Sequence, residues 1–422
     1  MAISKKTIKD IDIKGKRIIM RVDFNVPIKN GVINDDTRIQ AALPSIKYIL
    51  DNGAQSLVLM SHLGDPKKDA VKAKEKAGAA WDEAKYMEGQ HKMAPIAAHL
   101  GKLIGKTINV APDCMSDATK KMVDSLGAGE ILLLENTRFH KEETAKEDAD
   151  RDVMAKVLAT YGDIFVNDAF GTAHRDHAST ASICKFMKGA CVAGFLMEKE
   201  LEFLEEKIVK NPAHPFVAIV GGAKVSSKIT VIESLMEKVD SIIIGGGMAF
   251  TFFKAMGMEV GKSLCEDDQI ETAKKTMAAA KAKGVKFLLQ TDVVAADSFS
   301  NDAKTIVTVA MKDMPKDLMG LDIGPETTKT FNDELSKAKT IFWNGPVGVF
   351  EMEKYAKGTL SIAHTLANLK DCITVIGGGD SVSAVNKAGV AEKMTHISTG
   401  GGASLELVEG KVLPGVAALN NK

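Results

Sequence analysis

Short apolar runs punctuate this chain, each closing on glycine or on a polar cluster. In the first half they fall at 18–22, 56–60, 131–134 and 164–166. In the second they fall at 216–220, 242–244, 286–289, 341–343 and 373–376. Runs this short and apolar on both faces predict strands of parallel sheets covered on both sides. Between them the period changes. Val231, Ile232, Leu235, Met236 and Val239 recur at helical spacing within 230–240, as do Leu43, Ile46, Ile49 and Leu50, with Gly53 placed as a stop. Strands alternating with helices predict an α/β fold, and nine or more strands divide more naturally into two sheets than one.

The polar helical stretch 198–210, followed by Asn211-Pro212, carries no strand signal and marks the expected boundary. The reading is two doubly wound, Rossmann-like parallel-sheet domains joined by a helical hinge. Residues 1–197 form the first, 198–210 the connecting helix and 211–406 the second. The segment 65–92, rich in Lys, Ala, Glu and Asp with only Val71, Trp81, Tyr86 and Met87 as large apolar residues, reads as a solvated excursion.

Composition narrows the function. With 422 residues, 45% of them hydrophobic, the chain has material for two or three packed cores, which excludes bulk disorder. Lys+Arg and Asp+Glu are each 55, so a general nucleic-acid or anionic-membrane partner is not expected. No apolar run reaches membrane-span length, and the start lacks a signal-peptide stretch. Five cysteines without a CxxC pair suggest reduced thiols in a cytoplasmic protein.

The unusual residues gather where strands end, which is where open α/β sheets bind ligands. The second half carries Gly221-Gly222-Ala223-Lys224, Gly245-Gly246-Gly247, Asn344-Gly345-Pro346, Gly377-Gly378-Gly379-Asp380 and Gly400-Gly401-Gly402. Glycine lets backbone N–H groups approach an anion, and a following helix start adds its dipole. Neither GxxxxGK[ST] nor a GxGxxG after a strand is present. Lys224 and Lys228 are expected on one helix face reaching phosphate oxygens, and Asp380 is a candidate Mg²⁺ ligand beside a nucleotide. A solvated helix face and an ordinary N-cap are the plainer readings of the same residues.

The first half has a different signature. All six arginines (Arg17, Arg21, Arg38, Arg138, Arg151 and Arg175) lie there, against 49 lysines in the chain. Arginine kept at a few places suggests sites where its planar fork binds carboxylate or phosphate. Arg21 leads into Asp23-Phe24-Asn25, Arg138 follows Glu135-Asn136, and Arg175 follows Asn167 to Gly171; Arg17 and Arg151 lack such settings and read as surface charges. His174 and His177 form HxxH without the partners a zinc site needs, and read as loop histidines bonding to substrate or backbone. A two-domain anion-binding protein without catalysis and a nicotinamide dehydrogenase remain as alternatives, the second disfavoured by the missing dinucleotide fingerprint.

The longer motifs resemble one family. Arg21-Val22-Asp23-Phe24-Asn25-Val26-Pro27, Ser61-His62-Leu63-Gly64, Leu133-Leu134-Glu135-Asn136-Thr137-Arg138-Phe139 and Asn167 through Arg175 are similar to phosphoglycerate kinase. So are Gly221 through Ser226, Trp343 through Glu351, Gly377 through Ser381 and Ser398 through Glu406. The resemblance implies two doubly wound domains, with 407–422 returning to the first. It implies reversible phosphoryl transfer from 1,3-bisphosphoglycerate to ADP, giving 3-phosphoglycerate and ATP, with Mg²⁺. It assigns the glycerate substrate to Asp23, Asn25, Arg38, His62, Arg138 and Arg175, with Arg21, Phe24, Leu63 and Gly64 in the same motifs. It assigns the nucleotide to Gly222, Lys228, Gly246, Gly320, Asn344, Pro346, Glu351, Gly378, Gly379, Asp380 and Ser381, with Asp380 toward the metal. Arg38 and Lys224 resemble the pair that stabilises the transferring group. A monomer acting on small molecules is expected, with closure about 198–210 and 398–406. Asp65 departs from the pattern, since the family usually has Arg after Ser-His-Leu-Gly, and Lys67 or Lys68 is positioned to restore that charge.

Overall fold

The structure, a computed structural model, describes residues 3–29, 31–77, 81–82, 86 and 91–422. All nine apolar runs become strands, and they sort into two parallel six-stranded sheets. The first sheet runs Asn109–Val110, Glu130–Leu133, Ser56–Met60, Arg17–Arg21, Ile164–Asn167, Cys191–Ala193. Arg17–Arg21 is central, in parallel register with Ser56–Met60 on one side and Ile164–Asn167 on the other. The second sheet runs Lys286–Leu288, Ser241–Ile244, Phe216–Val220, Thr340–Asn344, Ile373–Gly377, His396–Ile397. In chain order that is third, second, first, fourth, fifth, sixth, the doubly wound arrangement, whose switch point lies between Phe216–Val220 and Thr340–Asn344.

The chain divides into two compact units, 1–202 with 412–422, and 203–411. Each has its own core. In the first, Ile18, Met20, Leu57, Leu59, Leu133 and Val166 from the sheet pack with Ile39, Leu43, Ile46 and Ile49 of the helix Thr37–Asp51. The three- and four-residue spacing of those helical residues puts one apolar stripe on the sheet. Gly53, at φ +74°, ends the helix as expected. In the second unit Val217, Ile219, Ile243, Ile341, Trp343 and Ile376 form the equivalent centre. The C-terminal segment completes the first unit: Asn420 N–H donates to Cys191 O at 3.0 Å, and Gly415 N–H to Ala173 O at 2.8 Å. The helix Phe195–Glu200 continues as a π-helical stretch, Leu201–Lys210, within which the chain passes from one unit to the other.

Three features depart from the sequence reading. Strands Ile306–Ala310, Asp292–Ala296 and Met319–Ile323 make a separate antiparallel sheet that the apolar runs do not announce. The helix within 230–240 is shorter, Ile229–Leu235. Arg151 is no surface charge. It is 5% exposed and donates to the carbonyls of Ala145 (2.8 Å) and Lys146 (2.6 Å), to Asp176 at 2.8 Å and to Asp148. Arg17 is half-exposed and paired with Asp163 at 2.8 Å. In the 65–92 excursion, Pro66–Ala77 is helical, Trp81 packs on Tyr86 with ring centres 5.1 Å apart, and Met87 lies outside the described residues. All five cysteines are free. Among the described residues no helix is long and apolar enough to cross a membrane.

Candidate functional site

In the first unit the motif residues converge beyond the carboxyl ends of the central strands. Arg21, the last residue of Arg17–Arg21, is fully buried. Its Nε donates to Ser179 Oγ at 2.8 Å, its Nη1 to Val22 O, and its Nη2 lies 3.2 Å from His62 Nδ1. A guanidinium only donates, so Nδ1 of His62 carries the lone pair and Nε2 the proton. Burial, reinforced by Arg21, Arg138 and Arg38, holds His62 well below the ordinary histidine pKa. The ring is therefore neutral, and the 4.0 Å approach of Asp23 to it is not an ion pair.

Asp23 is instead engaged by Arg38, whose Nη1 lies 3.2 Å from Oδ2 and 3.3 Å from Oδ1, and 3.1 Å from Asn25 O. Asn25 Oδ1 accepts the Gly64 N–H at 2.8 Å, and Arg138 Nη1 donates to Gly64 O at 2.7 Å. Phe24 is buried, with its N–H on Ser61 Oγ at 2.9 Å. Leu63 is bracketed by Asn136, which accepts its N–H at 3.2 Å and donates to its carbonyl at 2.8 Å. These contacts draw 21–25, 38, 61–64 and 136–138 into one polar cluster. Arg175 is exposed, bonded to His174 at 3.0 Å. Burial pushes His177 down to about 3, with the positive charges of Arg21, Arg138 and Arg175 acting in the same direction.

Behind this cluster sits a residue that sequence reasoning passed over. Glu143 is fully buried and accepts the Ser179 N–H (3.0 Å), the Ser179 hydroxyl (2.6 Å) and the Thr137 hydroxyl (3.2 Å). Ser179 in turn accepts from Arg21. In sequence Glu143 stands in a charged run, Lys141-Glu142-Glu143, and nothing distinguishes it from its solvated neighbours.

Asp65 takes a structural place at the start of helix Pro66–Ala77, where its Oδ1 accepts the Lys68 N–H at 3.3 Å. Lys67 and Lys68 are both exposed. Among the described residues no group of three or more His, Cys, Asp or Glu is arranged to hold a metal, the HxxH pair included.

The second unit holds a cavity of about 700 Å³ beyond the carboxyl ends of its strands. Gly222, Gly246, Gly320, Pro346, Glu351 and Asp380 line it, alongside the apolar Phe250, Leu264, Phe299 and Met319. At the switch point the two backbones touch. Gly345 has φ +98°, and a Cβ there would lie 2.1 Å from Gly221 O, so no other residue fits. Next to the cavity, Lys228 Nζ donates to Asn344 Oδ1, and Gly345 N–H to Ser381 Oγ at 2.6 Å. Asn344 Nδ2 is buried without a partner among the described residues, a donor set for an anionic oxygen. Gly378, at φ +84°, begins the helix Gly379–Lys387, whose first turn leaves Gly379 and Asp380 exposed. Burial lowers the Lys228 pKa, opposed by Asp380 and Glu409.

Lys224 and Lys228 do not share a helix face. The helix begins only at Ile229, because 224–228 form a turn with the Lys228 N–H on Val225 O at 2.8 Å. Ser226 is tied to Glu266 through both its N–H (3.0 Å) and its hydroxyl (2.6 Å). Lys224 is left exposed while Lys228 is half-buried. Asp322, also on the cavity wall, was not anticipated: burial pushes its carboxyl up to about 7 although Gly358 and Ile323 N–H groups donate to it.

Doubly wound sheets, an arginine-rich cluster on one unit and a glycine-lined cavity on the other define the class as a two-unit α/β protein of the doubly wound kind. Comparison with known proteins narrows it. The family model for phosphoglycerate kinase matches residues 8–411. A chloroplastic phosphoglycerate kinase of Chlamydomonas reinhardtii is 56% identical, over 99% of this chain and 87% of its own. The phosphoglycerate kinase of Chloroherpeton thalassium is 51% identical, over 99% of this chain and 100% of its own. The solved phosphoglycerate kinase of Coxiella burnetii superposes with a TM-score of 0.85 at 36% identity, covering 98% of both chains. The chain belongs to the phosphoglycerate kinase family, whose members are glycolytic kinases.

Proposed function

We propose that the first unit binds the glycerate substrate, that the second binds ATP or ADP, and that the phosphoryl acceptor in the ATP-consuming direction is the carboxylate of 3-phosphoglycerate. One observation carries the division of labour. The first unit's cluster offers guanidinium forks around neutral imidazoles, while the second offers close-packed glycine backbone beside an apolar cavity. Forks recognise compact anions such as phosphate and carboxylate; peptide N–H groups and apolar walls suit a nucleotide.

A carboxylate acceptor is ionised at neutral pH and needs no general base, in keeping with two histidines held neutral and with no proton acceptor required at the reacting oxygen. The work left to the protein is alignment and neutralisation of charge on the moving group. Arg38 from the first unit and Lys224 from the second are the cations assigned to that group, and both are at least partly exposed. His62, with Nε2–H available and Nδ1 fixed by Arg21, donates to a substrate oxygen without adding a charge. Lys228, Asn344 and the start of helix Gly379–Lys387 take the nucleotide phosphates.

The donor set fits Mg²⁺ carried by a nucleotide. Asp380 supplies one exposed carboxylate beside phosphate-binding backbone, and this ion is held by one or two carboxylates with phosphates and water completing its shell. When bound, the ion neutralises phosphate charge. Transfer between substrates held on separate units requires the units to meet, with 198–210 and 398–406 as the segments that bend. The five free cysteines support a reducing, cytoplasmic setting, the balanced charge argues against a general nucleic-acid partner, and we take the chain to act as a monomer on small molecules.

The deciding experiment is a coupled assay with ATP and 3-phosphoglycerate, run with and without a chelator. Activity that chelation abolishes and Mg²⁺ restores is expected. Turnover that persists without divalent metal sinks the metal assignment, and no turnover with both substrates sinks the reaction. Scattering in the presence of both substrates checks the closure, which predicts a smaller radius of gyration.

A further inference from the structure

At the carboxyl end of the edge strand Lys286–Leu288, one residue breaks the rule that buried amides are paired. Gln290 is 3% exposed, lines the cavity of the second unit, and its Oε1 is shut off from water without a hydrogen-bond partner among the described residues. Its neighbours are fully engaged. The Thr291 N–H donates to Thr327 Oγ1 at 2.9 Å, and Asp292 accepts from Glu326 N–H (3.1 Å), Thr327 N–H (2.8 Å) and the Thr327 hydroxyl (2.6 Å). Buried polar groups without partners are rare, and one at the wall of a ligand cavity calls for a partner that arrives with the ligand.

Position in the sheet says which part of the ligand. Gln290 follows Lys286–Leu288, whereas Gly378 and Asp380 follow Ile373–Gly377, four strands across the same sheet. At about 4.8 Å per strand the separation is roughly 19 Å. A nucleotide anchored by its phosphates near Asp380 therefore turns its base toward Gln290. Apolar Phe250, Leu264 and Met319 line the same cavity and offer a base flat surface, with Lys262 and Asp322 as further polar side chains of its wall.

We propose that Gln290 is a specificity-determining residue that reads the nucleobase, its amide pairing with the amino-bearing edge of adenine. The pairing uses the same donor and acceptor geometry by which glutamine recognises adenine elsewhere, and the amide turns readily about its last bond. This inference rests on the nucleotide reading of the cavity.

The test is calorimetric titration of the full chain with ADP and with purine riboside 5′-diphosphate, which lacks the 6-amino group. The wild-type chain is expected to bind ADP about tenfold more tightly, and Gln290→Met to bind the two alike. Equal affinities in the wild type overturn the proposal alone, and that comparison needs no variant to fold. A tenfold preference that survives in Gln290→Met, or in a second variant Gln290→Leu, overturns it as well. Binding of neither nucleotide removes the nucleotide reading and this inference with it.

Discussion

Arg38 Nη1 lies 3.2 Å from one oxygen of Asp23 and 3.3 Å from the other, so the cation assigned to the moving phosphoryl group is held by a carboxylate of the same unit. Asp23 is buried while the Arg38 side chain is 36% exposed, so the guanidinium is anchored at one edge and open at the other. An arginine so placed presents its remaining N–H groups without having to be ordered at the moment of reaction.

Arg38→Ala is expected to lower kcat by about 10²- to 10³-fold, with a severalfold rise in KM for 3-phosphoglycerate, because the lost contact is strongest in the transition state. Arg38→Lys should recover only a small part, since a point charge does not span Asp23 and substrate together. Steady-state kinetics in both directions measure this. A kcat within twofold of wild type for Arg38→Ala refutes the assignment.

Lys224 is the cation we propose for the same group on the other unit; it is exposed and lies on a turn tied down by Ser226 and Glu266. Lys224→Ala should reduce kcat by about 10²-fold or more while ADP affinity changes less than about fivefold. Equilibrium titration beside kinetics separates the two. Parallel losses in binding and turnover would show that the lysine holds the nucleotide rather than the transferring group.

Glu143 touches no substrate in this reading; it acts through Ser179 on Arg21, and so on the orientation of His62. Glu143→Ala leaves two hydroxyls and an N–H without their buried acceptor, at a cost of about 3 kcal/mol. Denaturant unfolding checks the stability. Positioning also predicts that Glu143→Gln, which keeps the shape and part of the hydrogen bonding, raises KM for 3-phosphoglycerate more than KM for ATP. Equal effects on both substrates would leave Glu143 a purely structural residue.

Asp322 makes stability depend on pH. Burial raises its folded pKa from the ordinary 3.8 to about 7, so the native state keeps a proton that the unfolded chain loses earlier. Its contribution is therefore fully present below about pH 4 and is lost as pH rises to about 7, above which both states are ionised. Asp322→Asn removes that titration. Between about pH 4 and 7 the Tm of the variant relative to wild type should rise with pH. A difference that stays flat across this window means the carboxyl is ionised in the native state throughout.

Much of this protein is written locally. The nine apolar runs are strands because both faces of a parallel sheet are covered and tolerate nothing polar, and Gly345 is required because a Cβ would strike the Gly221 carbonyl. The antiparallel sheet was hidden for the converse reason. Ile306–Ala310 is only partly buried, and Met319–Ile323 interrupts its apolar residues with Gly320 and Asp322, so neither shows an uninterrupted run. The helix start after the glycines was misplaced because the Ser226–Glu266 link joins residues forty apart, and no window along the chain contains both.

What the amino-acid order determined unaided was the alternation of strand and helix, the glycine turns at strand ends and the confinement of arginine to the first 175 residues. These follow from backbone sterics and side-chain chemistry, which act at each residue and need no neighbour from afar. Tertiary structure alone decided that Arg151 is buried, that Glu143 stands behind Arg21, and that Gln290 Oε1 is left without a partner among the described residues. Burial and pairing are properties of the folded neighbourhood: a charge costs or contributes according to which distant groups surround it, and only packing determines which those are.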